Sequence, residues 1–360
     1  MAVIYTQCTY VLAAGTHNKD KLSRLLETHL FSFLLWSRFF LDPRAPCSIH
    51  ALATPSLQND FIECIAHLFL IMLDMGGSLE RKVMSSPSTV GFFLHLWMMQ
   101  DTRGRHFGGQ GPEVCPITYL VKCLLCDSSG RSTVLSLLHT HRPKLLRHVF
   151  LTLRLRSQEV ADLPSEADSN YVLQRLDDLS FIASFLLKPD ELLYPYVKPS
   201  KTSQFVLDFI TSIEAALHRH PNAFSSDMVP DMVQFLCAVI FTIEGPVAAK
   251  AVRSALNAGI LCILVRAICH IPPTTEIHAA LVSLLRRFAA YCTYSQVVPS
   301  LNRAITHISP ASVLQASQSP TFKAAWTAIT ALVSRITQLE EETPLAAGRT
   351  RVCDCVQVSE

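Results

Sequence analysis

One helical pattern occurs three times at a constant offset, and it restricts the possible folds more than any other feature of the chain. Met232, Leu236, Val239 and Ile243 are spaced i, i+4, i+7, i+11; Ile277, Leu281, Leu284 and Phe288 repeat that spacing, as do Phe322, Trp326, Ile329 and Val333. The spacing places four apolar side chains on one face of an α-helix. Each set begins 45 residues after the one before, at 232, 277 and 322, inside the roughly 40–47 residues of stacked helical units. A unit of that size cannot bury its apolar face alone, so successive units are expected to lean on one another. One step earlier the pattern fails at Leu187, Glu191, Tyr194 and Lys198. The N-terminal half is therefore expected to be irregular or in another register.

The middle copy shows the plan of a unit. Ala248 to Asn257 reads as a short helix that Gly259 breaks, and Ile260 to Ile271 reads as a second. Pro272-Pro273 ends it, because proline lacks a backbone donor and clashes with the preceding turn. Thr274 and Thr275 offer N-cap oxygens to a longer helix, Glu276 to Cys292. Short helix, glycine, middle helix, sharp turn and long helix is the plan of an armadillo unit. The fold class expected is all-α, an armadillo/HEAT-like α-solenoid.

Composition agrees with helices of which many are interior: 49% of residues are hydrophobic and 17% charged, which argues against a disordered chain. The apolar runs are nonetheless broken by Arg38, by Glu63, His67 and Asp74, and by Arg266. None reaches the roughly 18 uninterrupted apolar residues of a spanning helix, so no membrane span is expected. The N-terminal MAVIYTQCTYVLAAG has no basic start, and Thr6, Gln7 and Thr9 dilute its apolar centre, unlike a secretory signal. Many of the 12 cysteines, Cys64, Cys123, Cys237, Cys262 and Cys269 among them, lie in apolar helical stretches, where a free thiol behaves as a small hydrophobe. A reducing intracellular compartment, cytoplasm or nucleus, follows. A formal charge of +2 gives no general attraction to nucleic acid.

Before the repeats, helices are expected over Lys19–Leu41, Pro55–Met75 (closed by Gly76-Gly77), Val90–Met99, Ile117–Cys126, Thr133–His139 and from Pro143 to Arg156, with no alternating strand pattern. Gln100 to Pro116 holds four of the 12 glycines and reads as a flexible loop. It lacks the strand and GK[ST] of a phosphate loop. The division expected is 1–156 as an irregular helical region, 157–169 as a polar linker, 170–342 as armadillo-like repeats and 343–360 as a disordered tail.

Chemistry is sparse. Cys123-Leu-Leu-Cys126 followed by His139 imitates three ligands of a zinc finger, but His141 follows after one residue instead of three to five. Both thiols read more simply as core. The basic helix 141–156 divides into a flank with Lys144, Arg147, His148 and Arg154 and a stripe with Leu145, Leu146, Val149, Phe150 and Leu153; a solvated flank over a buried stripe is the plain reading, and an acidic partner or membrane surface the other. His218 and His220 close a helix, where they suit its negative end. Trp36, Trp97 and Trp326 read as core. With no G-x-S-x-G and no H-E-x-x-H, catalytic residues are not assigned and an enzyme is not expected.

Three stretches carry a likeness: ALNAGIL (255–261), YSQVVPSL (294–301) and FKAAWTAITALVSRI (322–336). Together they resemble a family of helical proteins that carry a MYND-type zinc finger just after the last helix. The resemblance implies metal ligands at Cys353 and Cys355, where the finger would open. Here they form Cys-x-Cys instead of Cys-x2-Cys, and the chain reaches Glu360 before any other ligand, so the finger is expected to be truncated and no zinc or other cofactor to be held. The expectation for function is a non-catalytic helical-repeat scaffold for a protein or peptide partner, not nucleic acid. The alternative is a regulatory protein of the MYND type whose finger is lost.

Overall fold

The structure is a computed structural model; it describes residues 16–45, 48–49, 54–108, 115–140, 144–164, 167–186, 199–220, 228–241 and 246–342. Among these, sixteen α-helices form and no strand does; an isolated antiparallel bridge joins Gln100 and His106. The all-α class is thereby shown. The chain divides into two units, one holding the chain up to Glu159 together with Gln174–Leu186, the other Val160–Leu173 and the chain from the ninth helix onward.

The first unit contains α1 (Thr16–Leu41), α2 (Pro55–Asp74), α3 (Gly77–Ser85), α4 (Pro87–Met98), α5 (Pro116–Cys126), α6 (Ser128–Thr140), most of α7 (Lys144–Ala161) and the latter part of α8 (Ser169–Leu186). Prolines and hydroxyls set the starts. Pro55 follows Thr54, whose Oγ1 accepts from the Leu57 N–H at 3.3 Å, and Pro87 follows Ser86, whose Oγ accepts from Thr89 at 3.3 Å, in the usual cap arrangement. Gly76 and Gly77, expected only as a stop, also launch α3; both have positive φ, at 70° and 67°. α2 packs on α1, α3 and α5. Its Phe69 ring centroid lies 4.6 Å from that of Phe93, 5.8 Å from Phe92 and 5.2 Å from Phe33, contacts worth about 0.5–1.5 kcal/mol each beyond burial. By length and apolarity α2 alone among the described single helices could cross a membrane; its Ile62, Ile65, Ala66 and Phe69 are instead fully buried in the protein.

The second unit contains α9 (Pro199–Arg219), α10 (Met228–Phe241), α11 (Pro246–Asn257), α12 (Ile260–His270), α13 (Glu276–Ala290), a 3-10 turn (Tyr291–Thr293), α14 (Val298–His307), α15 (Pro310–Ala316) and α16 (Pro320–Glu342). The packing is regular: α11 lies on α14, α12 on α15 and α13 on α16, each pair three helices apart, and α10 lies on α13. The helices beginning near Met232, Ile277 and Phe322 are therefore consecutive neighbours. Phe241 of α10 and Phe288 of α13 meet at 5.0 Å, with the Arg287 guanidinium 4.5 Å over the Phe241 ring. The inner stripe of α13 departs from the expected one: Ile277 is 42% exposed and His278 beside it is buried, while Leu281, Leu285 and Phe288 are fully buried. The helix presents the i, i+3, i+7, i+10 face because its Thr275 cap sets His278 at the third position, the Thr275 oxygen accepting its N–H at 3.2 Å.

Two other expectations meet a different outcome. α7 continues through Ala161 and α8 starts at Ser169, so part of 157–169 is helix and Ser157 is buried. Trp36 is 60% exposed, unlike the fully buried Trp97, because α2, α3 and α4 cover only the opposite face of α1.

Candidate functional site

One cleft in the second unit begins with a glycine. Gly259 has φ 100°, a left-handed conformation that strains other residues, and it lets α11 and α12 meet at 66°. A Cβ at this position would lie 2.8 Å from Glu214 Cγ, so the absent side chain is also what admits α9 to the turn. On the other side α14 packs on α11. Glu214, Leu256, Asn257, Gly259, Cys262, Ser300, Arg303 and His307 consequently line an open cleft of about 360 Å³.

Its floor and rim differ in chemistry. Leu256 and Ser300 are buried, Glu214 and Cys262 half-buried, and Asn257, Arg303 and His307 exposed. A carboxylate, an amide that both donates and accepts, and a guanidinium can satisfy a main chain and its charged side chains. The Cys262 thiol is a poor nucleophile: burial pushes its pKa up and the Glu214 charge adds to this, with Arg266 pulling the other way. A reactive thiol needs the opposite shift.

A second polar cluster lies inside the first unit, in the segment expected as a flexible loop. Asp101 Oδ1 accepts the N–H groups of Arg103 and Arg105 at 2.8 and 2.9 Å, closing a turn, and His106, Phe107 and Gly108 are buried. The Glu159 carboxylate accepts both the His106 N–H and its ring Nδ1, each at 2.8 Å. Arg156, wholly buried, donates to the carbonyls of Trp97 and Phe107 and touches Cys115 Sγ at 3.8 Å. Burial lowers the His106 pKa against the Glu159 hydrogen bond, so the imidazole is neutral at pH 7. Residues 100–108 are thus pinned by side chains, and the cluster is enclosed by what it pins. By sequence Arg156 is only the last residue of a basic helix, off the flank of Lys144, Arg147, His148 and Arg154, and no local signal marks it as buried.

The remaining candidates are dispersed. Cys123 is half-buried and Cys126 exposed, so the pair is less interior than expected. Burial raises the Cys123 pKa. Beside it, Lys122 binds Asp177 and Asp178 at 2.8 Å each; burial opposes its charge, but the two carboxylates more than offset that and raise its pKa. Arg147, His148 and Arg154 are exposed, as the flank reading has it, over buried Leu146, Val149 and Leu153. His218 is exposed and His220 buried. No group of three His, Cys, Asp or Glu positioned to hold a metal ion occurs among the described residues. Cys353 and Cys355, the ligands implied by the MYND resemblance, lie outside the described residues, as does His141. Set against known proteins, the chain matches no family model, no curated protein and no solved structure, and the chemistry of the cleft stands on its own residues.

Proposed function

We propose that this chain is an armadillo/HEAT-like α-solenoid that binds an extended segment of a protein partner in the cleft between α9, α11, α12 and α14, without catalysis of its own. The observation that carries the reading is the cleft itself, with Glu214, Asn257 and Arg303 on an open rim and a protonated thiol where an enzyme would need a thiolate. The solenoid reading draws on the equal step of the packing, α11 to α14, α12 to α15 and α13 to α16, since stacked units leave a continuous groove beside a shared interior. Cleft occupancy is tested by placing a photo-crosslinking amino acid at Asn257 in the full chain and, as a control, at Ser334 on α16. A partner peptide joined at 257 and not at 334, and lost on Arg303→Glu, is expected. Equal yield at the two positions defeats the reading.

Cys353 and Cys355 supply a second, regulatory reading through the MYND resemblance. Zinc stoichiometry of the purified chain and of its Cys353→Ser, Cys355→Ser double variant tests it; identical, near-zero zinc in both counts against a metal role for these thiols.

A further inference from the structure

α1 carries two apolar faces, and the protein covers one. Leu30, Leu34 and Leu41 are buried, whereas Leu25, Phe31, Leu35, Trp36 and Phe39 are 56%, 67%, 50%, 60% and 44% exposed. Thr28 and Ser32 lie among them, also exposed. Leu25, Thr28, Ser32, Leu35 and Phe39 follow the alternating three- and four-residue steps of a helix-pairing seam, with Trp36 alongside. No charged residue stands on that seam between Leu25 and Phe39. Trp36 is held in place by rings, at 5.6 Å from Phe40 and 6.3 Å from Phe39, and Phe40 in turn packs at 5.8 Å on Phe61 of α2. The face is therefore preorganised, and it is anchored to the core behind it.

We propose that this face is the interface of a homodimer, in which two copies of α1 pair antiparallel about a two-fold axis at Ser32. The stripe is self-complementary under that operation, as an isologous interface must be. Leu25 meets the partner's Phe39, Thr28 meets the partner's Trp36, and Leu35 meets the partner's His29, which is exposed on the same face. Ser32 meets the partner's Ser32, and the small side chains there let the helices approach. The exposed apolar side chains of the stripe, with Phe31 at its edge, offer roughly 600 Å² per copy when fully covered, at the upper end of patches on monomers, and two copies together then reach about 1,200 Å², the lower bound for a specific association.

Sedimentation velocity on the full chain from about 1 to 100 μM tests the pairing. A concentration-dependent dimer is expected, with Trp36→Glu weakening it by about thirtyfold or more, as for a central aromatic contact. Circular dichroism of that variant should be unchanged, because the side chain is exposed. Ser32→Cys under mild oxidation should give a covalent dimer that wild type and Ser334→Cys do not, since only the residue on the axis meets itself. A wild-type monomer throughout overturns the proposal, as does a dimer indifferent to Trp36→Glu. Dimerisation only after removal of residues 1–15 overturns it in favour of a face covered by the chain's own start. A monomer that pellets with phosphatidylcholine vesicles and fails to do so as Trp36→Glu overturns it in favour of a lipid surface.

Discussion

The main-chain oxygen of Trp97 receives two hydrogen bonds from Arg156, from Nη2 at 2.7 Å and Nε at 3.0 Å. This oxygen lies near the C-terminal end of α4, where helical carbonyls lose their partners. The same Nη2 reaches the Phe107 oxygen at 3.2 Å, and the guanidinium lies 5.8 Å over the Trp97 ring. One fully buried cation thereby ties a helix end, the turn at 100–108 and α7 together.

Removing that cation should unfold the first unit before the second. Arg156→Met leaves two buried carbonyls short of donors, a loss of about 2–4 kcal/mol. Arg156→Lys should recover little of it, because a point charge cannot form the fork. Urea titration followed by hydrogen exchange at residues 97–108 reads the effect; a midpoint within error of wild type would show that the carbonyls find other donors.

Acid should weaken the fold below neutrality. Burial depresses the pKa of His106, and that of His95, where the Arg38 charge adds to it. With folded values under the unfolded value of about 6.5, the unfolded chain takes up protons first as pH falls. Stability should be level above about pH 6.5 and decline as pH drops from there through the folded values. Urea midpoints at pH 7.5 and 5.5 test this, and His106→Gln should flatten the difference. A midpoint unchanged between the two pH values counts against the assignment.

Gly130 is required by contact and not by conformation. Its N–H is capped by Asp127 Oδ1 at 2.8 Å, and a Cβ there would stand 2.4 Å from the Leu124 carbonyl oxygen. Since the obstacle is backbone, Gly130→Ala should push α6 off α5 and cost about 1–3 kcal/mol, although alanine is the better helix former. A thermal midpoint equal to or above that of wild type would mean that the hairpin opens freely.

Thiol labelling should follow burial. Cys126 is exposed, whereas burial raises the Cys237 pKa to about 12 and that of Cys292 to about 11. Brief iodoacetamide treatment at pH 8 with peptide mass spectrometry should modify Cys126 first among the described cysteines and leave Cys237 and Cys292 unmodified until denaturant is added. Early modification of Cys237 would contradict its place in the interior.

Helix positions were legible because their signals are local. Pro55 after Thr54, the Pro272-Pro273 stop and the Thr275 cap act through neighbouring backbone groups, and the helices follow them. The cleft was half legible: the Gly259 break could be read, but Glu214 and Arg303 are 45 and 44 residues away from it and carry no mark of sharing its space. The 100–108 turn misled for a related reason, since glycine content reports what a backbone can do and not what holds it.

By itself the sequence determined that this chain is helical, roughly where each helix starts and stops, and the 45-residue step along which α10, α13 and α16 become neighbours. Those properties depend on capping, proline geometry and apolar spacing within a few turns of helix. Only the tertiary structure decided that Arg156 is interior and Trp36 exterior. Burial is a property of the face a distant element covers, and the guanidinium enters because two carbonyls, 59 and 49 residues away along the chain, are brought to meet it, while nothing described in the fold is brought to cover the indole.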